Sequence, residues 1–88
     1  MFKQGKYVTG EIRQPSGLDV LGAVIVPESV DHETLLHLFT EVILGAGFFH
    51  INDKGRVEAY GESLGLGIRM CSKDARLIEK SLGIAQEV

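Results

Sequence analysis

The stretch "LDVLGAVIVP", residues 18–27, constrains the fold most. From Val20 to Val26 every position is apolar or glycine. Side chains alternate along a strand, so Val20, Gly22, Val24 and Val26 fall on one face and Leu21, Ala23 and Ile25 on the other. A strand that is greasy on both faces needs cover on two sides. Pro27 closes it, and the run is far too short to cross a bilayer. The pattern predicts a central strand.

Its neighbours follow from the same periodicity. "KYVTGEI", residues 6–12, alternates Val8, Gly10 and Ile12 against Tyr7, Thr9 and Glu11, a strand pattern, and Pro15, Ser16 and Gly17 punctuate the turn to the next strand. In "ESVDHETLLHLFTEVILGAG" Leu35, Leu38, Phe39, Val42 and Ala46 recur at helical spacing. That stripe predicts a helix started by Ser29 or Asp31 and stopped by Gly45 and Gly47. "FFHINDKGRVEAY" predicts a hairpin whose turn, 52–55, puts Gly55 in the left-handed region. Beyond it, Leu64, Leu66, Ile68 and Met70 are out of phase with Val57 and Ala59, so a bulge or tight turn is expected at 61–63. The alternation of Gly65 and Gly67 with those apolar residues reads as a strand whose bare face something approaches closely. "CSKDARLIEKSLGI" predicts a second helix with Ser72 as its cap, Ala75, Ile78 and Leu82 as its stripe and Gly83 as its stop. "AQEV", 85–88, is expected to fray.

The element order is β-β-α-β-β-α: an α+β domain over residues 1–88, with two helices on one face of an antiparallel sheet of four to five strands. Moving the first strand to the end would give the ferredoxin-like split βαβ order, so a circularly permuted ferredoxin-like sandwich is the fold expected. That layout leaves one apolar sheet face bare, and a face of this kind marks an interface or a ligand site. Leu21, Ala23, Ile25, Phe48, Tyr60, Gly65 and Gly67 are the residues expected to line it.

Charge and composition narrow the classes. Nine Lys and Arg against twelve Asp and Glu leave the chain at −3, which disfavours general nucleic-acid binding. A single cysteine, Cys71, excludes an internal disulfide and a Cys-rich metal site. "MFKQGKYVTG" has no apolar core of a signal peptide, and the expected location is the cytoplasm.

Candidate chemistry is sparse. His50 and Glu58 should face each other across the hairpin with Tyr60 beside them, a pair able to do acid–base work; an exposed cross-strand pair is the commoner meaning of such a pattern. His32 and His37 are five apart, the wrong spacing for a helical metal pair, and are expected on a solvated face. No metal or cofactor is expected. "GESLGLG" lacks the lysine and hydroxyl of a phosphate loop. The leading expectation is a non-enzymatic interaction or regulatory module that forms a homodimer through its apolar sheet face, without nucleic acid or membrane. A domain binding a small apolar or aromatic ligand, or a protein partner, is the alternative, and a small enzyme using the His–Glu pair the third.

Overall fold

A computed structural model describes residues 3–83, and the tail expected to fray lies outside them. The chain is a small α+β protein built on a four-stranded antiparallel sheet. Strand β1 spans Gln4–Ile12 and β2 Val20–Val26. A 3-10 helix, His32–Leu38, leads directly into the long strand β3, Phe39–Ile51. Strand β4, Val57–Tyr60, returns beside it, and β5, Glu62–Ser63, pairs with β6, Ile68–Arg69. Helix α1, Asp74–Leu82, closes the described chain.

The spatial order is β2-β1-β3-β4. A permuted ferredoxin-like sheet would set β2 between β1 and β4; here β1 lies between β2 and β3, so the topology differs from the one expected. The doubly apolar β2 is therefore an outer strand. Ala23 to Val26 are covered on two sides, while Val20 and Leu21 are about half exposed, and β1 lies inside the sheet.

The largest departure is the segment read as a long helix, of which only His32–Leu38 is helical. Thr40, Val42 and Ile43 are β-branched, and β3 is held by register against β1: Thr9 opposite Gly45, Val8 opposite Ala46, Gly5 opposite Phe49. Pairing with a distant strand decides the segment. The helical phase is lost with it: Leu35 and Phe39 are buried, while Val42 is exposed.

The two helices lie on opposite faces of the sheet. On one, Ile78 of α1 packs on Tyr7, Ala23, Phe49 and Val57, with Ile25 and Leu82 alongside. On the other, Leu35 packs on Val8, Phe39 and Ala46, with Leu66 and Ile68 of the β5–β6 unit. No sheet face is left bare for Leu21, Ala23 and Ile25 to offer: Ala23 is buried and Ile25 packs under α1, leaving Leu21 exposed. Ile25→Lys is thus expected to destabilise the folded chain itself, by about 2 kcal/mol, through loss of apolar burial and a stranded ammonium. Urea unfolding should report it, and a midpoint equal to wild type would place Ile25 outside the core.

Helix α1 is tied down by polar groups. Asp74, fully buried, accepts hydrogen bonds from the Tyr7 hydroxyl, from Thr9 Oγ1 at 2.7 Å and from the Cys71 N–H at 2.6 Å. That last bond closes the turn before the helix; Ser72, the expected N-cap, is not one, for Lys73 stands at the cap and no side chain caps the helix N-terminus. Burial, and then the Asp74 carboxylate, push the Tyr7 hydroxyl well above the usual phenol range. At the other end Gly83 takes the left-handed C-cap expected of it, φ 76°.

The same helix satisfies backbone groups of both outer strands. The Ser81 hydroxyl donates to the Ala23 carbonyl at 3.1 Å and accepts the Ala23 N–H at 3.4 Å. Glu79 accepts the Val57 N–H at 3.0 Å and grips Arg56 through two bonds of 2.7 and 3.0 Å. α1 thus engages one backbone position on each outer strand, Ala23 and Val57, while covering the face between them.

Candidate functional site

The 52–55 turn brings β3 and β4 together in register: Phe48 opposite Tyr60, Phe49 opposite Ala59, His50 opposite Glu58. Asn52 Oδ1 accepts the N–H groups of Lys54 and Arg56, and Gly55 takes φ 77°, which holds the turn tight. Even-numbered side chains then share the face away from α1. Phe48 and Tyr60 stack with ring centroids 5.9 Å apart and planes 24° from parallel. His50 lies against Tyr60 at 5.5 Å, and its Nε2–H donates to Glu58 Oε1 at 2.8 Å.

His32, expected in solvent, is buried. Its Nε2–H donates to the Gly47 carbonyl at 2.8 Å, and its ring meets Phe48 edge-on at 5.8 Å. The 3-10 helix thereby fixes the Phe48 ring in place. His37 instead bonds through Nδ1 with the Thr34 carbonyl, exposed and 2.8 Å away. Among the described residues no three His, Cys, Asp or Glu side chains are grouped to hold a metal ion.

Next to Phe48 opens a cleft of about 430 Å³ between the 3-10 helix and the β5–β6 turn. Phe48 and His32 line it with Lys6, Asp31, Glu33 and Glu62. The segment read as one bare-faced strand is this turn, and its two glycines have different reasons. Gly67 takes φ +67° with open space around it, a conformation a side chain resists. At Gly65 a Cβ would stand 2.6 Å from Glu33 Oε1, so the bare position lets the carboxylate of the 3-10 helix lie against the hairpin. Leu64 projects from the turn, 86% exposed. Gly61, at φ +75°, makes the break expected between 61 and 63, and a Cβ there would touch the Phe48 ring at 3.0 Å.

The residues nominated from sequence are thus split. Phe48 and Gly65 line the cleft, Tyr60 stacks on Phe48 outside it, and Gly67 closes the turn beyond. Leu21, Ala23 and Ile25 lie on the opposite sheet face, which includes the α1 core. His50 and Glu58 meet, but in the open: their side chains are 40% and 56% exposed, and neither lines the cleft. The contributions of Lys6, Asp31, Glu33 and Glu62 had no local sequence signal. They converge from β1, the 3-10 helix and the second hairpin.

The arrangement can hold a planar group against Phe48 and place charge around its rim. Three carboxylates against one ammonium make that rim acidic. No protein-family model, curated protein or solved structure matches this chain, and no described helix is long and apolar enough to cross a membrane.

Proposed function

We propose that this chain is a non-enzymatic binding module whose cleft takes a small aromatic ligand, neutral or carrying a positive charge. The observation that supports this best is the immobilised Phe48 ring, locked edge-on by His32 and stacked on Tyr60, at the floor of a cleft with Asp31, Glu33 and Glu62 at its walls. Aromatic faces attract planar groups and cations, and a preformed concave site loses little entropy on binding.

Two features support binding over catalysis. The His50–Glu58 pair lies on an open surface, its side chains 40% and 56% exposed, and lines no part of the cleft. Tyr60 meets His50 through a tilted ring contact, with planes 54° apart. The sheet face expected to carry a homodimer is packed by α1 around Ala23 and Ile25, so the cleft is the surface this reading uses.

Tryptamine and indole-3-propionate share a ring and differ in the sign of the charge. Titrated into the protein, tryptamine should shift the backbone amide resonances of Phe48, Glu33 and Gly65, with the propionate at least tenfold weaker. Phe48→Leu should abolish the response while keeping an apolar floor. Equal binding of the two probes, or no perturbation at millimolar tryptamine, would overturn the proposal.

A further inference from the structure

On the other side of the molecule an apolar groove of about 490 Å³ runs alongside α1. Leu21 of β2, Leu44 of β3 and Leu77 of α1 form its floor, and Lys73, Arg76 and Lys80 stand along it. Leu21 and Leu44 are 52% and 37% exposed, although both are large aliphatic groups lining the same groove. Leu44 is turned out by an irregularity of β3: Thr9 pairs with Gly45 but Gly10 with Ile43, so residue 44 has no partner on β1.

Charge indicates what covers this groove. The chain is acidic overall, yet every charged residue lining the groove is basic. Neither Lys73 nor Lys80 enters an ion pair among the described residues. A second copy related by a twofold axis would set the same three cations against themselves, which disfavours self-association here. The occupant therefore carries negative charge as well as apolar side chains.

Spacing indicates its shape. Lys73 at the N-cap and Arg76, Leu77 and Lys80 of α1 recur at i, i+3, i+4 and i+7, one stripe along the helix. From Lys73 to Lys80 the stripe is roughly 10 Å long at the rise of an α-helix. A single-chain amphiphile has one charge at one end and would use one of these cations. Carboxylates spread over two turns, beside a row of leucines, match the whole ladder. We propose that the groove docks an acidic amphipathic helix of a partner protein, its apolar stripe on Leu21, Leu44 and Leu77 and its Glu or Asp residues along Lys73, Arg76 and Lys80.

The test uses a blocked synthetic helix of about 15 residues, long enough to hold helical structure, with leucines on one stripe and glutamates flanking it, labelled for fluorescence anisotropy. Saturable binding to the wild-type chain should weaken at least tenfold when glutamine replaces glutamate in the probe. It should weaken as much when Lys73→Glu and Lys80→Glu are combined in the protein, and when Leu44→Ser is made. Lys73 and Lys80 are exposed, so the charge-reversed protein should keep its melting temperature and its response to tryptamine, which separates this surface from the aromatic cleft. Equal affinity for acidic and neutral probes would overturn the proposal, as would the absence of saturable binding. Decanoate displacing the acidic probe at comparable concentration, with the same charge-reversal dependence, would make the groove a lipid-anion site instead.

Discussion

Arg56→Leu is expected to lower the unfolding free energy by about 3 kcal/mol, because it strands a buried carboxylate. Glu79 is 2% exposed and accepts three hydrogen bonds, two from the Arg56 guanidinium and one from the Val57 N–H. Without the guanidinium only the backbone donor is left for a charge that has already lost its water. The estimate sits at the low end for a broken buried pair, since the Arg56 side chain is 39% exposed and solvent can enter behind it. Glu79→Gln should cost less, as it leaves an arginine that can turn to water. The pH dependence distinguishes the two. The Arg56 bonds hold the Glu79 carboxyl below its usual range, against an opposing push from burial. Its contribution to wild-type stability is therefore complete above the unfolded glutamate value of about 4.3 and is lost as pH falls through the lower folded value. In Arg56→Leu the strongest lowering influence is gone and only the Val57 N–H and the Arg76 charge still oppose burial, so the Glu79 carboxyl rises relative to wild type and acidification relieves the strain. Urea midpoints of wild type and variant should converge towards pH 3. A constant gap from pH 7 to pH 3 would mean that the carboxylate is not what the variant strands.

The residues that make these contacts were differently visible in the sequence. Val20–Val26 announced a strand covered on two sides, and the structure shows this for Ala23 to Val26. What the run could not reveal is where its cover comes from: α1 covers Ala23 and Ile25 and the opposite cluster covers Val24 and Val26, while Leu21 stays exposed. The 52–55 turn was legible because its chemistry is local: an Asx side chain and one left-handed glycine fix it. The segment 29–47 is ambiguous for the converse reason. Leu35, Leu38, Phe39, Val42 and Ala46 satisfy helical spacing, but Gly45, Gly47 and Phe49 also alternate, and only the register with β1 separates the two periods. Gly45 carried a signal of a different kind. It faces α1, and a Cβ there would occupy the space of the Asp74 carboxylate. A glycine inside a strand often marks such an approach, yet the identity of the approaching group comes from a residue 29 positions later. The cleft was half visible, Phe48 through its aromatic pattern and its charged walls not at all.

Asp74→Ala is expected to cost about 4 kcal/mol, enough to unfold much of a domain this small at ordinary temperature. Asp74 is the acceptor on which β1 and the start of α1 converge. Tyr7, Thr9 and Asp74 are all fully buried, so their donors have no bulk solvent to turn to when the carboxylate is removed. The donors lose it unequally. Thr9 Oγ1 also lies 3.3 Å from the Gly45 carbonyl and can turn its proton there. Tyr7 has no second acceptor among the hydrogen bonds described, so its hydroxyl is orphaned, and the Cys71 N–H loses the bond that closes the turn before the helix. Two companion variants test this account. Asp74→Asn should be much milder: its carbonyl oxygen can keep Tyr7 and Cys71, while its amide donates to Thr9 Oγ1, which donates onward to Gly45. Combining Tyr7→Phe with Asp74→Ala should recover part of the loss, because a missing hydroxyl needs no acceptor. The double-mutant cycle is then expected to show a coupling of at least about 1 kcal/mol, measured by urea unfolding of the four proteins. Additive losses would show that the cost of Asp74→Ala comes from the cavity and not from the orphaned phenol. The same variants probe the surface beside them. Cys71, Lys73 and Leu77 are positioned by the turn that Asp74 closes, so Asp74→Asn, which keeps the Cys71 bond, should retain binding of an acidic helix in the groove. A fully folded Asp74→Asn protein that has lost that binding would mean the groove depends on the carboxylate's charge as well as on its hydrogen bonds.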